Sequence, residues 1–441
     1  MFSKIKLSLS RINYKLFAAL LILSLAPTIY TTVRVFFIGQ MPGEWSFSIA
    51  GQLSWVSLLY EILNEAIILP LFYFIGKVKN NKSEFSNRIR TGMLISFLVY
   101  CILSTCVIIF AKPMLKLMAT DISIIEASST YIRIESIANI FNILAHFALV
   151  ALVTVNKSKY LYALTCVKLL LCLVTDTFFV SNLPISANLG VNGIGYSNII
   201  VNAFVFVISI LLLSREEIDV FGKSKLDFSW TKEFAKVGGV SGFESFVRNV
   251  AYMVMISRML NVVGEQGTYW VANNFIWGWL LLPILQLGEL IKQEVAANRE
   301  NIRRNSLGYF TVTAIISVLW VVSIPFWKPF MTHVLALDNV NELFELVIVL
   351  LGFYILYAVQ NVFDSTFYGL GKTNYMLFES VVTNSIYYGG AFVLYLTNVW
   401  RPSLIGIALL FGIGNAFDSV VSLAAYIFLL KKEKIDILSV E

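Results

Sequence analysis

The segment LLYEILNEAIILP (58–70) places Glu61 and Glu65 four residues apart, with Asn64 between them, inside a long apolar run. On a helix that spacing puts both carboxyls on one face, where like charges repel. In a low dielectric the cheaper state of such a pair keeps a proton on at least one member. A carboxyl that takes up and releases a proton at membrane depth can couple proton movement to other work. Glu61 and Glu65 are therefore candidate cation-coupling groups, with Asn64 beside them facing the same space.

They are not alone. Arg34, Arg133, Glu135, Lys168, Asp176, Glu244, Arg248, Arg258, Glu289, Lys292, Glu294, Asp364 and Asp418 also fall within or at the ends of apolar runs. Each charge at a helix centre costs about 2.5–3.5 kcal/mol on insertion scales. So many are tolerable only if they pair, lose their charge or face water. Glu244 and Arg248 are four apart with the acid first, the favoured order for an ion pair. Glu289 and Lys292 allow the same pairing, and Lys292 and Glu294 can snorkel to the interface. Lys168 and Asp176 are eight apart and share a helix side, so Lys168 could neutralise Asp176 or Glu135. Gln360, Asn361, Asp364 and Ser365 make one polar face, whose oxygens suit H⁺ or Na⁺. Asn415, Asp418, Ser419 and Ser422 form a similar stripe, which interhelical hydrogen bonding would also explain. In WVANNFIWGWLLLP (270–283), Trp277 and Trp279 lie beside Asn273 and Asn274. Aromatic faces there could hold an organic cation or form an interfacial belt.

These residues need elements to carry them. The 441-residue chain is 58% hydrophobic and only 14% charged, against about 25% charged in soluble domains. A spanning helix needs about 20 apolar residues. Twelve runs qualify, at 16–38, 50–76, 91–111, 127–153, 160–180, 191–214, 235–260, 269–294, 307–327, 341–368, 376–397 and 404–430. Segments on the side of the N-terminus hold 23 Lys and Arg, whereas the opposite loops hold Lys112, Lys116, Lys328 and Arg401. The positive-inside rule puts both termini in the cytoplasm, with the chain multi-pass in the cell membrane. Pro27, inside the first run, interrupts the backbone ladder and predicts a helix bend.

The polar stretch 214–234 separates six runs from six. Gly39 precedes Trp45 by six residues, as Gly264 precedes Trp270, an offset of 225. NKSKYLYA (156–163) resembles GKTNYMLF (371–378), with Lys157 over Lys372. GIGYSNIIVNAF (193–204) lies over GIALLFGIGNAF (406–417), an offset of 213. Three ordered matches argue for duplication. An even number of helices per copy relates the copies by an axis along the membrane normal. The offset of 225 also sets Glu61 over Gln286 and Asn64 over Glu289, which adds Glu289 and Gln286 to the candidates. The expected fold is all-α and integral to the membrane. Twelve transmembrane helices form two six-helix lobes related by a pseudo-two-fold axis, with a central cavity between them. Its parts are a cytoplasmic tail 1–15, a lobe 16–214, a linker 215–234, a lobe 235–430 and a tail 431–441. Two parallel lobes of this kind imply a transporter.

At these residues the chain resembles the MATE family of multidrug and toxin exporters. FFIGQ (36–40) looks like the family's glycine closing the first helix. GVNGIGYSN (190–198) looks like the opening of the sixth helix, and GLGKTNY (369–375) like the turn after the tenth. The superfamily also holds flippases for lipid-linked oligosaccharides. Bacterial members often carry a first-helix Asp five residues before the closing glycine, used in cation coupling. This chain has Arg34 there, while the family's fifth-helix Asp corresponds to Asp176. The family's arrangement implies that Arg34 and Asp176 approach each other. It also implies a functional acid on the tenth helix, which Asp364 would supply, and a first-helix proline like Pro27 tied to switching. Na⁺ at Asp364 or Asp176 would be an alternative coupling ion.

The expected function is a H⁺- or Na⁺-coupled antiporter exporting amphipathic, cationic compounds by alternating access. The rival is a flippase for a lipid-linked anionic sugar, with Arg34, Lys168 and Arg248 holding a pyrophosphate. No Walker A loop, Ser–His arrangement or zinc spacing indicates an enzyme, and no cofactor is expected. The four cysteines show no zinc or haem spacing, and a net charge of +6 explained by loops does not imply nucleic acid. The implied partners are small organic substrates and the lipid bilayer, with the chain working as a monomer.

Overall fold

The computed structural model describes residues 2–41, 45–78, 80–154, 158–218, 220, 222, 225–337 and 340–437; Lys157 of the repeat match lies outside them. The described residues are helical without strands. In chain order the helices are α1 (Phe2–Arg11), α2 (Tyr14–Gly39), α3 (Ser46–Gly76), α4 (Lys82–Leu117), α5 (Ile122–Thr154), α6 (Lys159–Phe179) and α7 (Asn192–Arg215). Next come α8 (Thr231–Ala251), α9 (Gln266–Leu280), α10 (Leu282–Ala297), α11 (Glu300–His333), α12 (Val340–Gly369), α13 (Asn374–Val382) and α14 (Leu404–Lys432). Among the described residues nine helices are long and apolar enough to cross a membrane, and α9 with α10 makes a tenth, bent by 53°. Two further apolar runs, 235–260 and 376–397, fall on α8 and α13. Each continues through a π turn, Tyr252–Ser257 after α8 and Thr383–Tyr388 after α13. The bend between α9 and α10 follows a third π turn, Ile276–Leu280, and Pro283 opens the next helix. A proline lacks the N–H for the ladder and crowds the carbonyl four residues back, which accounts for the break.

The helices pack into two compact units, Val33–Gly267 and Met1–Thr32 with Thr268–Glu441. The boundary inside α2, between Thr32 and Val33, lies about one and a half turns beyond Pro27. The units are a different partition from the repeat: α8 packs in the first unit, whereas the sequence groups it with the lobe 235–430.

In the 33–267 unit, α5 packs along α4 and α7, and α3 packs along α8. The core holds Trp55, Leu71, Phe74, Ile89, Phe147 and Leu152. The α3–α8 contact depends on small residues, as membrane helix interfaces do. A Cβ on Gly238 would stand 2.2 Å from the Ala66 carbonyl oxygen, and one on Gly242 2.8 Å from the Ala66 Cβ. The other end of the pair is closed by a buried amide exchange. Gln52 Nε2 donates to Asn261 Oδ1 at 2.6 Å, Asn261 Nδ2 returns a bond to Gln52 Oε1 at 3.2 Å, and Trp55 and Thr120 donate to the same oxygen. Because α3 carries Glu61 and Glu65 and α8 carries Glu244 and Arg248, this packing sets the geometry of those charges. Gly238→Leu should separate the helices, lower the thermal unfolding midpoint in detergent by several degrees and disrupt the ion pairs. A midpoint equal to the wild type's would show that the close approach is dispensable.

In the second unit, α12 packs between α10 and α14. The amphipathic α1, part of what the sequence suggested was a tail, packs along α11. Ile12 is buried there, and Ser8 Oγ accepts the Gly308 N–H at 2.8 Å. Glu294 does not snorkel but gathers donors. Its Oε1 accepts the Asn13 N–H at 2.9 Å, and its Oε2 accepts Asn305 Nδ2 at 2.9 Å and the Tyr309 hydroxyl. Past the end of α14, Glu433 receives both Lys372, from the turn after α12, and Arg299, which opens α11. The Lys372 hydrogen bond first, then the charges of Lys372 and Arg299, hold the Glu433 carboxyl below its usual range. Such a group stabilises the fold fully above the unfolded value of about 4.3, and that contribution disappears as pH falls through the lower folded value. Hydrogen exchange at 431–434 should stay slow at pH 5 and rise only in stronger acid. Rapid exchange already at pH 5 would contradict the clamp.

Candidate functional site

The 33–267 unit holds two clusters. In the first, α2 brings Arg34 to Asp176 on α6. Arg34 Nε donates to Asp176 Oδ2 at 2.7 Å, and a second nitrogen donates to Asn198 Oδ1 on α7 at 2.7 Å. Asn198 Nδ2 then donates to Glu135 Oε1 on α5 at 2.7 Å. Asp176 is wholly buried and Glu135 nearly so. The approach of Arg34 to Asp176 is the one the resemblance implied, and the asparagine extends it to a second acid. One fixed cation thus serves two carboxylates in low dielectric, where unpaired charges are costly. Lys168 joins neither Asp176 nor Glu135 in an ion pair among the described residues.

In the second cluster Arg248 is surrounded by acids. It pairs with Glu65, reaches Glu244 at 3.6 Å on its own helix and approaches Glu61 at 4.0 Å. Glu65 and Glu244 are largely covered, whereas the Glu61 side chain is 48% exposed. Three carboxyls around one guanidinium leave room for protons. The expected Glu244–Arg248 pair is present, and Arg248 holds Glu61 and Glu65 as well. Asn64, on the same helix, is half-buried.

The second unit carries the densest polar group. On α12, Gln360 Nε2 donates to Asp418 Oδ2 on α14 at 2.6 Å and to Asp364 Oδ2 at 3.3 Å. Thr383, which opens the π turn after α13, donates to Asp418 Oδ1 at 2.7 Å. Ser422 donates to Asp364 Oδ1 at 2.7 Å, and Ser419 to Gln360 Oε1 at 2.8 Å. Glu379 on α13 completes the group. Its side chain is buried, its Oε1 has no hydrogen-bond partner among the described residues, and its carboxyl lies within electrostatic reach of Asp364 and Asp418. Sequence reading missed Glu379 because it lies near the edge of the run 376–397, where an acid is unremarkable. The signal that could have found it was an acid inside a run facing two other acid-bearing stripes. Asp418, which read equally well as interhelical glue, belongs to this group.

The other candidates are dispersed. Glu289 pairs with Lys292 at 2.6 Å, and Gln286 is half-buried one turn earlier. Asn361 Nδ2 donates to the Ile284 carbonyl at 2.9 Å and so ties α12 to α10. Asn274 caps the Trp270 carbonyl four residues back, and Asn273 is half-buried. Trp279 Nε1 donates to Thr32 Oγ1 at 3.0 Å and its ring meets Phe330 edge-on. Trp277 is more exposed and packs against Tyr354 and Tyr357. Among the described residues no three His, Cys, Asp or Glu side chains are disposed to hold a metal ion.

The chain is helical and multi-pass, with buried carboxyl groups on several of its spans. The MatE family model matches residues 74–178, within the first unit. The fold is similar to that of a multidrug resistance MATE family transporter of the MOP superfamily in its inward-facing conformation. The TM-score is 0.73 at 15% identity, over 91% of this chain and 93% of that one. A mutant of the Vibrio cholerae MATE transporter VcmN matches with a TM-score of 0.70 at 14% identity over 98% of each chain. A MOP superfamily transporter from Pyrococcus furiosus, described as having a binding pocket of reverse polarity, matches with a TM-score of 0.65 at 14% identity over 96% of each chain. No curated protein sequence matches the chain. The fold is the one these transporter structures share, the all-helical, twelve-helix, two-lobe fold class expected from sequence, and within it the MatE model matches one stretch of the chain, residues 74–178.

Proposed function

We propose that the chain is a proton-coupled secondary exporter of amphipathic organic compounds, acting by alternating access in the cell membrane with both termini in the cytoplasm. The observation that carries this reading is the Asp364–Glu379–Asp418 group. Three carboxyls on three helices share neutral donors, and like charges so placed cannot all ionise cheaply. A proton held among them is the economical state. Gln360, Thr383 and Ser422 direct N–H and O–H groups at the carboxyl oxygens, which suits a carboxyl that exchanges a proton better than a site for Na⁺. Thr383 links the group to the π turn after α13. Such turns often mark functional positions, so protonation has a local element to act on.

Arg34 occupies the place of the family's first-helix acid and is committed to Asp176. That moves the coupling role away from Asp176 and toward the second unit, with Glu61 and Glu65 as further proton acceptors. Pro27, close to the unit boundary inside α2, serves as the bend. The flippase reading requires Arg34 and Arg248 to hold a pyrophosphate, and both are engaged by carboxylates, which weighs against it.

The test is uptake of a cationic dye into vesicles containing the purified chain, with either a proton or a sodium gradient imposed. The proposal expects accumulation under the proton gradient alone. Accumulation driven only by sodium would refute proton coupling, and movement of lipid-linked sugar without dye transport would favour the flippase.

A further inference from the structure

One cleft in the 33–267 unit has no part in the reading above. Arg90 on α4 stands immediately before the apolar run 91–111 and so lies at the edge of the bilayer. Helix α4 continues inward through Leu94 and Phe97. At a rise of 1.5 Å per residue, Phe97 lies about 10 Å deeper than Arg90. Beside this stretch is a cleft of about 370 Å³, within the range of about 300–1,000 Å³ usual for small-molecule sites. Arg90, Leu94 and Phe97 line it from α4, Leu144 from α5, Phe206 from α7 and Leu226 from the linker. Among the described residues the lining carries no charged side chain besides Arg90. Leu94 and Phe97 are exposed, at a depth where the surroundings are lipid. The linker is pinned one turn of α4 before Arg90. Asn87 Nδ2 donates to the Asp227 carbonyl at 2.9 Å, and the Asp227 N–H donates back to Asn87 Oδ1 at 2.9 Å. The Asp227 carboxylate is occupied by Ser229, whose N–H and hydroxyl both donate to it.

We infer that this cleft seats one anionic phospholipid, its phosphate on Arg90 and an acyl chain laid along Leu94, Phe97, Leu144 and Phe206. Charge complementarity selects the occupant. A guanidinium at the bilayer edge with an apolar wall below it has the polarity of a lipid, phosphate outermost and chain beneath. A cationic compound would meet Arg90 with like charge. The planar guanidinium matches a phosphate bidentately, and basic pockets between membrane helices bind lipid head groups in this way. Lys225 is exposed and next to Leu226 in the chain, so it adds positive charge at the same end. That favours a headgroup of net negative charge over a zwitterionic one. Through Leu226 the lipid touches the segment that separates the two sequence repeats. The inference concerns lipid binding and does not rest on the exporter reading.

The experiment is native mass spectrometry of the full chain, purified and delipidated in detergent. It is titrated with phosphatidylglycerol or with phosphatidylcholine of the same acyl chains. The wild type should bind its first phosphatidylglycerol about tenfold more tightly than its first phosphatidylcholine. Arg90→Gln should bring the two within about twofold of each other. Leu94→Trp, which fills the cleft and keeps Arg90, should weaken the first phosphatidylglycerol about tenfold. If Arg90→Gln fails to fold, judged by its unfolding midpoint, Leu94→Trp decides alone. No preference in the wild type, or an unchanged preference in either folded variant, overturns the inference. Two competitors separate the other occupants. Excess glycerol 3-phosphate should leave the bound phosphatidylglycerol in place, and displacement would assign the site to a free phosphate and overturn it. A cationic dye should also leave it in place, and displacement would assign the cleft to a transported compound, with the same consequence.

Discussion

Asp364→Asn and Glu379→Gln will each abolish proton-driven accumulation of dye while leaving the protein folded. With an imposed gradient of one pH unit, a coupled proton is worth about 1.4 kcal/mol, a tenfold concentration ratio. A variant that cannot bind that proton should collapse the ratio to one. The two variants should act alike because Asp364 and Glu379 belong to one titrating group, whose protons are a property of the group and not of either residue. Asp418→Asn should behave similarly, since it shares Gln360 Nε2 with Asp364 and receives Thr383. Each amide keeps the size and shape of the carboxyl it replaces, so the fold should hold, and the unfolding midpoint serves as the control. Full accumulation in both single variants would remove the group from the mechanism.

Arg34→Met will be the most destabilising single change in the 33–267 unit. It leaves Asp176 buried without its cation and removes the donor that orients Asn198 toward Glu135. Breaking one side of a buried pair costs about 3–5 kcal/mol, whereas replacing both partners with apolar residues is often neutral. The double variant Arg34→Met with Asp176→Leu should therefore recover most of the loss, read as the unfolding midpoint in detergent. The recovery should be incomplete because Glu135 remains. Asp176→Asn alone should lower stability and leave the proton-to-dye ratio intact. A double variant no more stable than Arg34→Met would show that the pair is not the unit of stabilisation.

The spans were legible because twenty apolar residues in a row have few other uses, and Lys and Arg placement gave an orientation to test. α1 was not, because ten amphipathic residues rich in Lys and Ser read as a solvated tail until α11 supplies a partner for Ser8 and Ile12. The three π turns were equally hidden, since one extra residue in a helical turn depends on tertiary contacts and leaves no periodic mark. Within the site, the Arg34–Asp176 contact was implied by a family arrangement, and Glu244–Arg248 by spacing on one helix. The choice of partner for Lys168 depends on how α2, α5 and α6 rotate about their axes, and sequence does not encode that locally. Glu379 was missed for a related reason: its importance comes from Asp364 and Asp418 on other helices. Glu294 shows the opposite error, a residue at a helix end that looked free to snorkel and is instead fixed by three donors.

The most direct test of proton coupling runs the transporter in reverse. Vesicles are prepared with equal pH on both sides and an internal pH reporter, and a dye gradient is imposed. The account predicts that dye leaving in one direction drives protons in the other, and that Glu379→Gln removes this proton flux. Dye movement at the wild-type rate with no accompanying pH change would contradict it.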